Sequence, residues 1–251
     1  MSQARTIVIT GAGTGFGRAA AVELAGRGHD VIATTETDEQ AAALAAAEPG
    51  LRAQKLDVTD AADVAGLAAL EPDVLINNAG YGLMGPMATV PLDEVRKSFD
   101  VNVFGMVAMS QAAIPGMKER GWGRIINVSS IAGVLASAQG SPYCMTKHAV
   151  EAFTKSLRAE LEPHGIDVTK VNPGPYDTGF NDQMVLGAAR FLEDGDESGA
   201  EAHEFAKQLI LSGQLDPAEV ATALADLAEA DETPEELFLP EGIRELIAGA
   251  L

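Results

Sequence analysis

Residues 141–150 read SPYCMTKHAV and place Tyr143 and Lys147 four positions apart, in a segment with the character of a helix start. At i and i+4 the two side chains share a helix face, so an ammonium can stand beside a phenol and favour its ionised form. A free phenol titrates near pH 10, and bringing it toward about 7 takes some 4 kcal/mol, at roughly 1.36 kcal/mol per unit. A phenol tuned in this way takes the proton of an alcohol, or returns one to a developing alkoxide. A plain surface Tyr and Lys is the commoner meaning of this spacing, so the pair needs partners before it reads as chemistry.

The first partners lie near the N-terminus, where TIVIT is followed by GAGTGFG with Gly11, Gly15 and Gly17 after Thr10. Glycines there let the backbone turn tightly and approach a pyrophosphate, while the amides and positive dipole of the next helix face the phosphates. A strand before, a helix after and a second strand at DVIAT complete the βαβ context this fingerprint requires. The absence of a Lys-Ser/Thr pair argues against a P-loop triphosphatase. An acid at the end of the second strand of such a unit bonds ribose hydroxyls and repels a 2′-phosphate. Thr35 and Glu36 occupy that end, with the acid 19 residues past Gly17 and no Arg or Lys at Thr14, Thr35, Glu36 or Thr37. The corner favours NAD over NADP.

The elements that must hold these residues alternate along the chain. Strand-like runs fall at 6–10, 30–34, 51–56, 74–77, 124–129, 167–172 and 237–240, and helix-like stretches near 16–27, 38–47, 60–70, 91–119, 143–162 and 217–229. This order predicts an α/β fold, a Rossmann-like doubly wound sheet of seven parallel strands with helices on both faces. Near-continuous apolar runs such as VLIN suit strands covered on both sides. At 251 residues with 47% apolar content, the whole chain, 1–251, is expected to form a single domain. Segment 178–215, rich in Gly, Ala and acid, breaks the rhythm and is expected as an excursion over the C-terminal edge of the sheet, covering a substrate.

Taken in order, TGAGTGFG, NNAG (77–80), Asn102 in FDVNVFG, the serine of NVSSIAG, Tyr143-x-x-x-Lys147 and NPGPYDT (172–178) resemble the short-chain dehydrogenase/reductase family, in its compact single-domain branch. The resemblance runs from residue 6 to about 180 and turns the Tyr-Lys pair into expected chemistry. It implies an oxidoreductase that moves a hydride between NAD and a secondary alcohol or ketone. Tyr143 matches the family's catalytic acid/base, Lys147 the partner that lowers its pKa, Ser130 the donor to the substrate carbonyl, and Asn102 the holder of a relay water. Ser130 rather than Ser129 stands thirteen residues before Tyr143, which is the family's spacing. Cofactor contacts carry over to Gly11, Thr14, Gly15, Phe16 and Gly17, to Thr35 and Glu36, and to Asp57 and Val58 beside the adenine. They continue through Asn78, Ala79 and Gly80 along the ribose, Tyr143 and Lys147, and Pro173, Gly174 and Thr178 near the nicotinamide. An NADP-dependent ketoreductase and a non-catalytic NAD(H)-sensing protein of the same fold are the alternatives.

The substrate end is expected to be an apolar wall made by Val134, Leu135, Phe180 and Met184, beside Ser130 and Tyr143, with Tyr176 as a polar tip. Such a wall suits a neutral, mostly apolar small molecule. Residues 191–251 carry 16 of the acids against Lys207 and Arg244, a net of −14 out of −20 for the chain. That surface repels phosphate backbones and anionic lipid, so neither nucleic acid nor membrane is expected as a partner. No stretch reads as a secretion signal or a membrane span, and the single cysteine, Cys144, excludes an intramolecular disulfide; a cytoplasmic location fits both. The four histidines lack metal-ligand spacing, and the calcium-loop-like run from Asp194 meets Phe205 where a bidentate Glu is needed, so no metal is expected. Across the family the helices at 91–119 and 143–162 pair with a second copy, which implies a homo-oligomer. The chain's end lacks the Asp-Gly-Gly close frequent in tetrameric members, which puts a tetramer in question, so at least a dimer, dimer or tetramer, is expected.

Overall fold

A computed structural model describes residues 4–248. Seven strands, β1 (Thr6–Ile9), β2 (Asp30–Thr35), β3 (Arg52–Lys55), β4 (Val74–Asn77), β5 (Gly123–Val128), β6 (Ile166–Pro173) and β7 (Glu236–Leu239), form one sheet in the order β3-β2-β1-β4-β5-β6-β7. Every pairing is parallel, with Val8 opposite Ile32 on one side and Leu75 on the other. Strand order reverses between β1 and β4, and in open parallel sheets the crevice beyond that reversal is where ligands bind.

Alternation along β1 shows how the core is divided. Ile7 and Ile9 join one apolar cluster with Ala20 and Leu24 of α1 (Gly15–Gly26) and Leu224 of α9 (Ala218–Glu229). Val8 joins the opposite cluster with Met109 and Met117 of α5 (Met106–Arg120) and Leu157 of α6 (Ser141–Leu161). Successive strand residues face opposite sides, so an all-apolar strand needs helices on both faces. Each fully buried aliphatic side chain stabilises the fold by about 1.5–3 kcal/mol. The buried Arg124 guanidinium donates to Leu227 O and Ala230 O at 2.6 and 2.7 Å, satisfying carbonyls at the end of α9 and pinning it to β5.

The remaining helices are α2 (Asp38–Ala47), α3 (Ala61–Gly66), α4 (Leu92–Phe99), α7 (Phe180–Ala188), α8 (Glu197–Leu211) and α10 (Ile243–Ala248). Two expectations need correction. The stretch 60–70 is helical only as α3 followed by a 3-10 turn over Leu67–Leu70. The helix expected over 91–119 is split by a π-helical segment, Asp100–Gly105, between α4 and α5. Asn102 sits in that segment, and its Gly105 passes so close to Val58 that a Cβ would lie 2.7 Å from a Val58 methyl. Such single-turn π insertions are commonly found beside functional sites. Segment 178–215 is largely helical: α7, a 3-10 turn over Ala189–Phe191 and α8. The acids from Asp194 serve this helix, because Asp196 caps α8 by accepting from Gly199 N. Gln139 donates to Gly199 O and Thr89 to Phe191 O, tying the excursion to the body of the fold.

Candidate active site

The glycine loop runs from β1 into α1. Gly11 adopts φ +64°, and a Cβ there would stand 2.7 Å from Ala79 Cα. At Gly17 a Cβ would meet Asn78 Nδ2 at 2.5 Å and Gly11 O at 2.8 Å. Asn78 closes this packing by donating to Thr10 O and Gly11 O at 3.0 Å, while the Thr10 hydroxyl accepts from the Asn78 and Ala79 amides. The glycines are therefore demanded by the approach of the β4 end to the β1 end.

The start of α1 differs chemically from those of α2 and α3. Its N-cap, Thr14, makes no side-chain cap, and no acid stands in its first turn. In contrast, Thr37 and Gln40 form a capping box on α2, which also carries Asp38 and Glu39, and Asp60 caps α3. A helix that leaves its first amides without an internal anion fits a pyrophosphate, since those amides and the helix dipole both favour negative charge. The residues present thus suit a dinucleotide. Gly15 lies under Thr178, and Phe16 packs edge-on against Tyr176 with ring centres 5.6 Å apart. At the end of β2, Thr35 is buried and donates to Thr37 O, leaving exposed Glu36 as the side chain free to reach a ribose. Asp57 is half-buried and accepts from the amide and hydroxyl of Thr59, and Val58 is buried under Gly105. Pro173 ends β6, and Gly174 N donates to Leu239 O.

The second group gathers where β5 runs into α6. Pro142 starts α6, a position where its fixed φ suits a helix and its missing N–H costs nothing. Tyr143, Lys147, Val150, Thr154, Leu157 and Leu161 form one buried stripe along that helix. Tyr143 and Lys147 are 9% and 4% exposed, so the pair lies at the head of the core-facing stripe. Lys147 Nζ donates to Val128 O at 2.9 Å and stands 5.6 Å from the centre of the Tyr143 ring. Ser130 hydrogen-bonds the Tyr143 phenol, and its Oγ also accepts from Ala132 N at 3.1 Å. Asn102 accepts from Tyr81 N and donates to Tyr81 O and to Thr146 Oγ1 of α6, which anchors the π segment beside the pair.

Burial sets the electrostatics of this group. It drives the Tyr143 phenol well above its ordinary 10, against the opposing hydrogen bond from Ser130. It also lowers Lys147 from 10.5 to about 8, against the upward pull of Glu151. In the protein alone desolvation therefore dominates the phenol, and the lowering expected from Lys147 together with a cationic nicotinamide belongs to the cofactor-bound site.

A cavity of about 230 Å³ opens beside Tyr143, with Gly80, Met84, Phe180 and Met184 on its apolar side and Tyr81 and Arg190 on its polar side. Phe180 packs on Tyr143 with ring centres 5.8 Å apart. Gly82 lets α7 close in, since a Cβ there would lie 2.9 Å from Met184 Cβ. Glu94 accepts from Tyr81 Oη at 2.7 Å and from Arg190 at 3.2 Å, joining α4 to the excursion across the mouth.

The family model for short chain dehydrogenases matches residues 5–187. The chain belongs to the short-chain dehydrogenase/reductase family. It is 37% identical over 238 residues to the uncharacterized oxidoreductase YusZ of Bacillus subtilis, covering 88% of this chain and 83% of that one. It is 36% identical over 251 residues to human 17-beta-hydroxysteroid dehydrogenase type 1, covering 93% and 72%. A short chain dehydrogenase/reductase from Burkholderia phymatum, solved with NAD, superposes with a TM-score of 0.82 at 25% identity, covering 98% and 92%. Structures of this fold are known with NAD and with NADP, so hydride transfer through a nicotinamide cofactor is the activity class.

Within this short-chain dehydrogenase the structure brings Ser130, Tyr143, Lys147 and the Asn102 segment together, and puts Phe180 and Met184 against Tyr143. Three of the expected substrate residues stand away from this cavity. Tyr176 is 1% exposed, packs on Phe16 and donates to Glu219 at 2.6 Å, so it serves the α1–α9 side of the core. Val134 and Leu135 are half-buried in the turn after Ser130 and do not line the cavity. The cavity is also lined by Tyr81, Gly82, Leu83, Gln183, Gly187 and Arg190, which the sequence reading did not single out. The glycines at 80, 82 and 85 were the available signal, since closely spaced glycines mark a backbone that something must approach.

Proposed function

We propose that this protein transfers a hydride between NAD(H) and a neutral, largely apolar secondary alcohol or ketone, with the whole chain acting as one catalytic domain. The convergence of Ser130 and Lys147 on the Tyr143 phenol, which packs against Phe180 and Met184 of a cavity with mixed polar and apolar lining, carries the reading. The nicotinamide supplies the hydride acceptor and, when oxidised, a positive charge next to the phenol. Tyr143 takes the alcohol proton in oxidation and returns it to the developing alkoxide in reduction. Ser130 donates to the oxygen on which charge changes. Lys147 lends positive charge to the phenolate, and Asn102, anchored to Tyr81 and Thr146, takes the part of relay-water holder. Gly11, Thr14, Gly15, Phe16 and Gly17 hold the pyrophosphate end, Asp57 and Val58 the adenine, Asn78 to Gly80 the ribose, and Pro173, Gly174 and Thr178 the nicotinamide.

NAD is favoured because exposed Glu36, followed by Asp38 and Glu39, repels a 2′-phosphate at the end of β2. Neutral substrates are favoured because Arg190, the cation at the cavity, is already paired with Glu94. The helices expected to meet a second copy expose Leu92 and Met145, and Phe104 of the π segment within the first of these stretches is 60% exposed, which supports a dimer. Among the described residues no helix is long and apolar enough to cross a membrane, and a cytoplasmic location completes the reading.

The test is Tyr143→Phe. Expected is a fall in turnover of about 10³-fold or more with NADH binding, followed by nicotinamide fluorescence, retained. Turnover surviving in the variant on every alcohol accepted by the wild type defeats the assignment. A monomeric mass in solution scattering defeats the dimer.

A further inference from the structure

One buried carboxylate near the reaction centre has no part in the chemistry above. Glu151 lies on α6 four residues after Lys147 and eight after Tyr143, with its side chain 15% exposed. Its Oε1 accepts from Ser129 Oγ at 2.5 Å and from Asn172 Nδ2 at 2.6 Å. Its Oε2 faces Lys170 Nζ at 3.0 Å, and Lys170, 4% exposed, also reaches Glu236 at 3.3 Å. Asn172 Nδ2 further donates to Ser130 O. The turn after Ser130 closes onto the same carboxylate, since a Cβ at Gly133 would stand 2.9 Å from Glu151 Oε1.

Three elements therefore meet on one carboxylate: α6, the end of β5 and the end of β6. The residues it grips are neighbours of the working ones, Ser129 beside Ser130 and Asn172 beside Pro173. A hydroxyl, an amide and an ammonium match this carboxylate in charge and hydrogen bonding, and a largely buried charge acts on its surroundings with little screening. Other ionisable groups around this end of α6 are less well placed to act on Lys147. Tyr143 and Cys144 are neutral, and Asp100 of the π segment is exposed. On α4, Asp93 pairs with Arg96 and Glu94 with Arg190, while Lys97 lies over the Tyr81 ring. Lys170, Glu236 and Arg244 form a chain of pairs that leads away behind Glu151. Of these groups, Glu151 is the one that raises Lys147 against its burial.

We propose that Glu151 is a positioning residue of the reaction centre, tying the Ser130 end of β5 to the Pro173 end of β6 and setting a carboxylate on the helix one turn from Lys147. The proposal rests on the oxidoreductase reading for its purpose, and its test separates the two.

The test follows the ε-methylene signals of the lysines by isotope-edited NMR in the cofactor-free protein, with Lys147 assigned from its loss in Lys147→Met. In the wild type the expected midpoint for Lys147 is about 8. Glu151→Gln keeps the shape of the side chain and removes its charge, and is expected to lower the midpoint by about half a unit to one unit. The alkaline limb of kcat/KM, where Lys147 gives up its proton, moves down in pH by the same amount. Lys170→Met removes the cation that offsets Glu151 and moves the midpoint the other way. An unchanged midpoint in Glu151→Gln, with kcat/KM lowered equally at every pH, means a merely structural brace and overturns the proposal. Should Glu151→Gln not fold, a midpoint that fails to rise in Lys170→Met overturns it. A shifted midpoint in a protein that oxidises no alcohol leaves the coupling standing and removes the oxidoreductase reading.

Discussion

Lys147→Met should make the protein more stable at neutral pH while removing the positive charge its proposed chemistry needs. Lys147 is 4% exposed and burial lowers it from 10.5 to about 8. A lowered lysine pKa means that the folded state holds the proton less tightly than the unfolded state. Below about 8 the lysine is protonated in both states, and 2.5 units at about 1.36 kcal/mol each make the folded charge cost about 3 kcal/mol. Between about 8 and 10.5 the folded protein sheds this proton first, so the penalty fades as pH rises through that window. Methionine fills similar space without charge and forgoes the hydrogen bond to Val128 O, worth about 1 kcal/mol. The net gain is about 2 kcal/mol at pH 7, or a rise in Tm of roughly 4–8 °C for a chain of this size, shrinking to about zero by pH 10. Urea denaturation of both proteins at pH 7, 8, 9 and 10 measures the difference directly. A variant less stable than the wild type at pH 7, or an advantage that does not change with pH, refutes burial as the force acting on this lysine.

Gly17→Ala places a methyl 2.5 Å from Asn78 Nδ2 and 2.8 Å from Gly11 O, and should cost about 1–3 kcal/mol of stability together with most NADH affinity, read by calorimetry and fluorescence titration. Glu36→Arg should invert the cofactor preference toward NADPH in the same titration; an unchanged ratio places the ribose contact elsewhere. Glu94→Gln loosens Arg190 and Tyr81 together, and because the ion pair is half exposed its cost in stability should stay below about 1 kcal/mol. Its mark should be faster proteolytic nicking between residues 178 and 215 and a higher KM with little change in kcat.

The parts of the fold and site that could be read from the sequence are those whose meaning is local. A strand, three spaced glycines and a helix follow one another within the span from Thr6 to Gly26, and all seven strands lie within about two residues of where their apolar runs predict them. Ser130, Tyr143 and Lys147 come together because β5 and α6 are consecutive elements, so spacing along the chain translates directly into proximity. Tyr176 reads as a substrate contact by its place after NPGP, and only the arrival of Phe16 and Glu219, 160 residues before it and 43 after it, turns it into the core. The π segment is hidden for the same reason. Asn102 leaves the helical pattern to satisfy Tyr81 and Thr146, neither of them a sequence neighbour.

The direction of the titration shifts in the cofactor-free protein has a signal in the sequence. Spacing of i to i+4 puts Tyr143 and Lys147 on one face of a helix whatever that face meets. Val150, Thr154, Leu157 and Leu161 continue the same stripe, and a stripe ending in apolar residues faces the core. On a solvent-facing stripe, the nearby cation would dominate and lower the phenol. On a core-facing one, desolvation acts on both groups and drives each toward its neutral form, phenol up and ammonium down, as found here. The cofactor-free site therefore stores its chemistry in an uncharged tyrosine, and ionisation must wait for positive charge to be gathered around it. Lys147, kept protonated at neutral pH with the help of Glu151, is the share of that charge built into the fold.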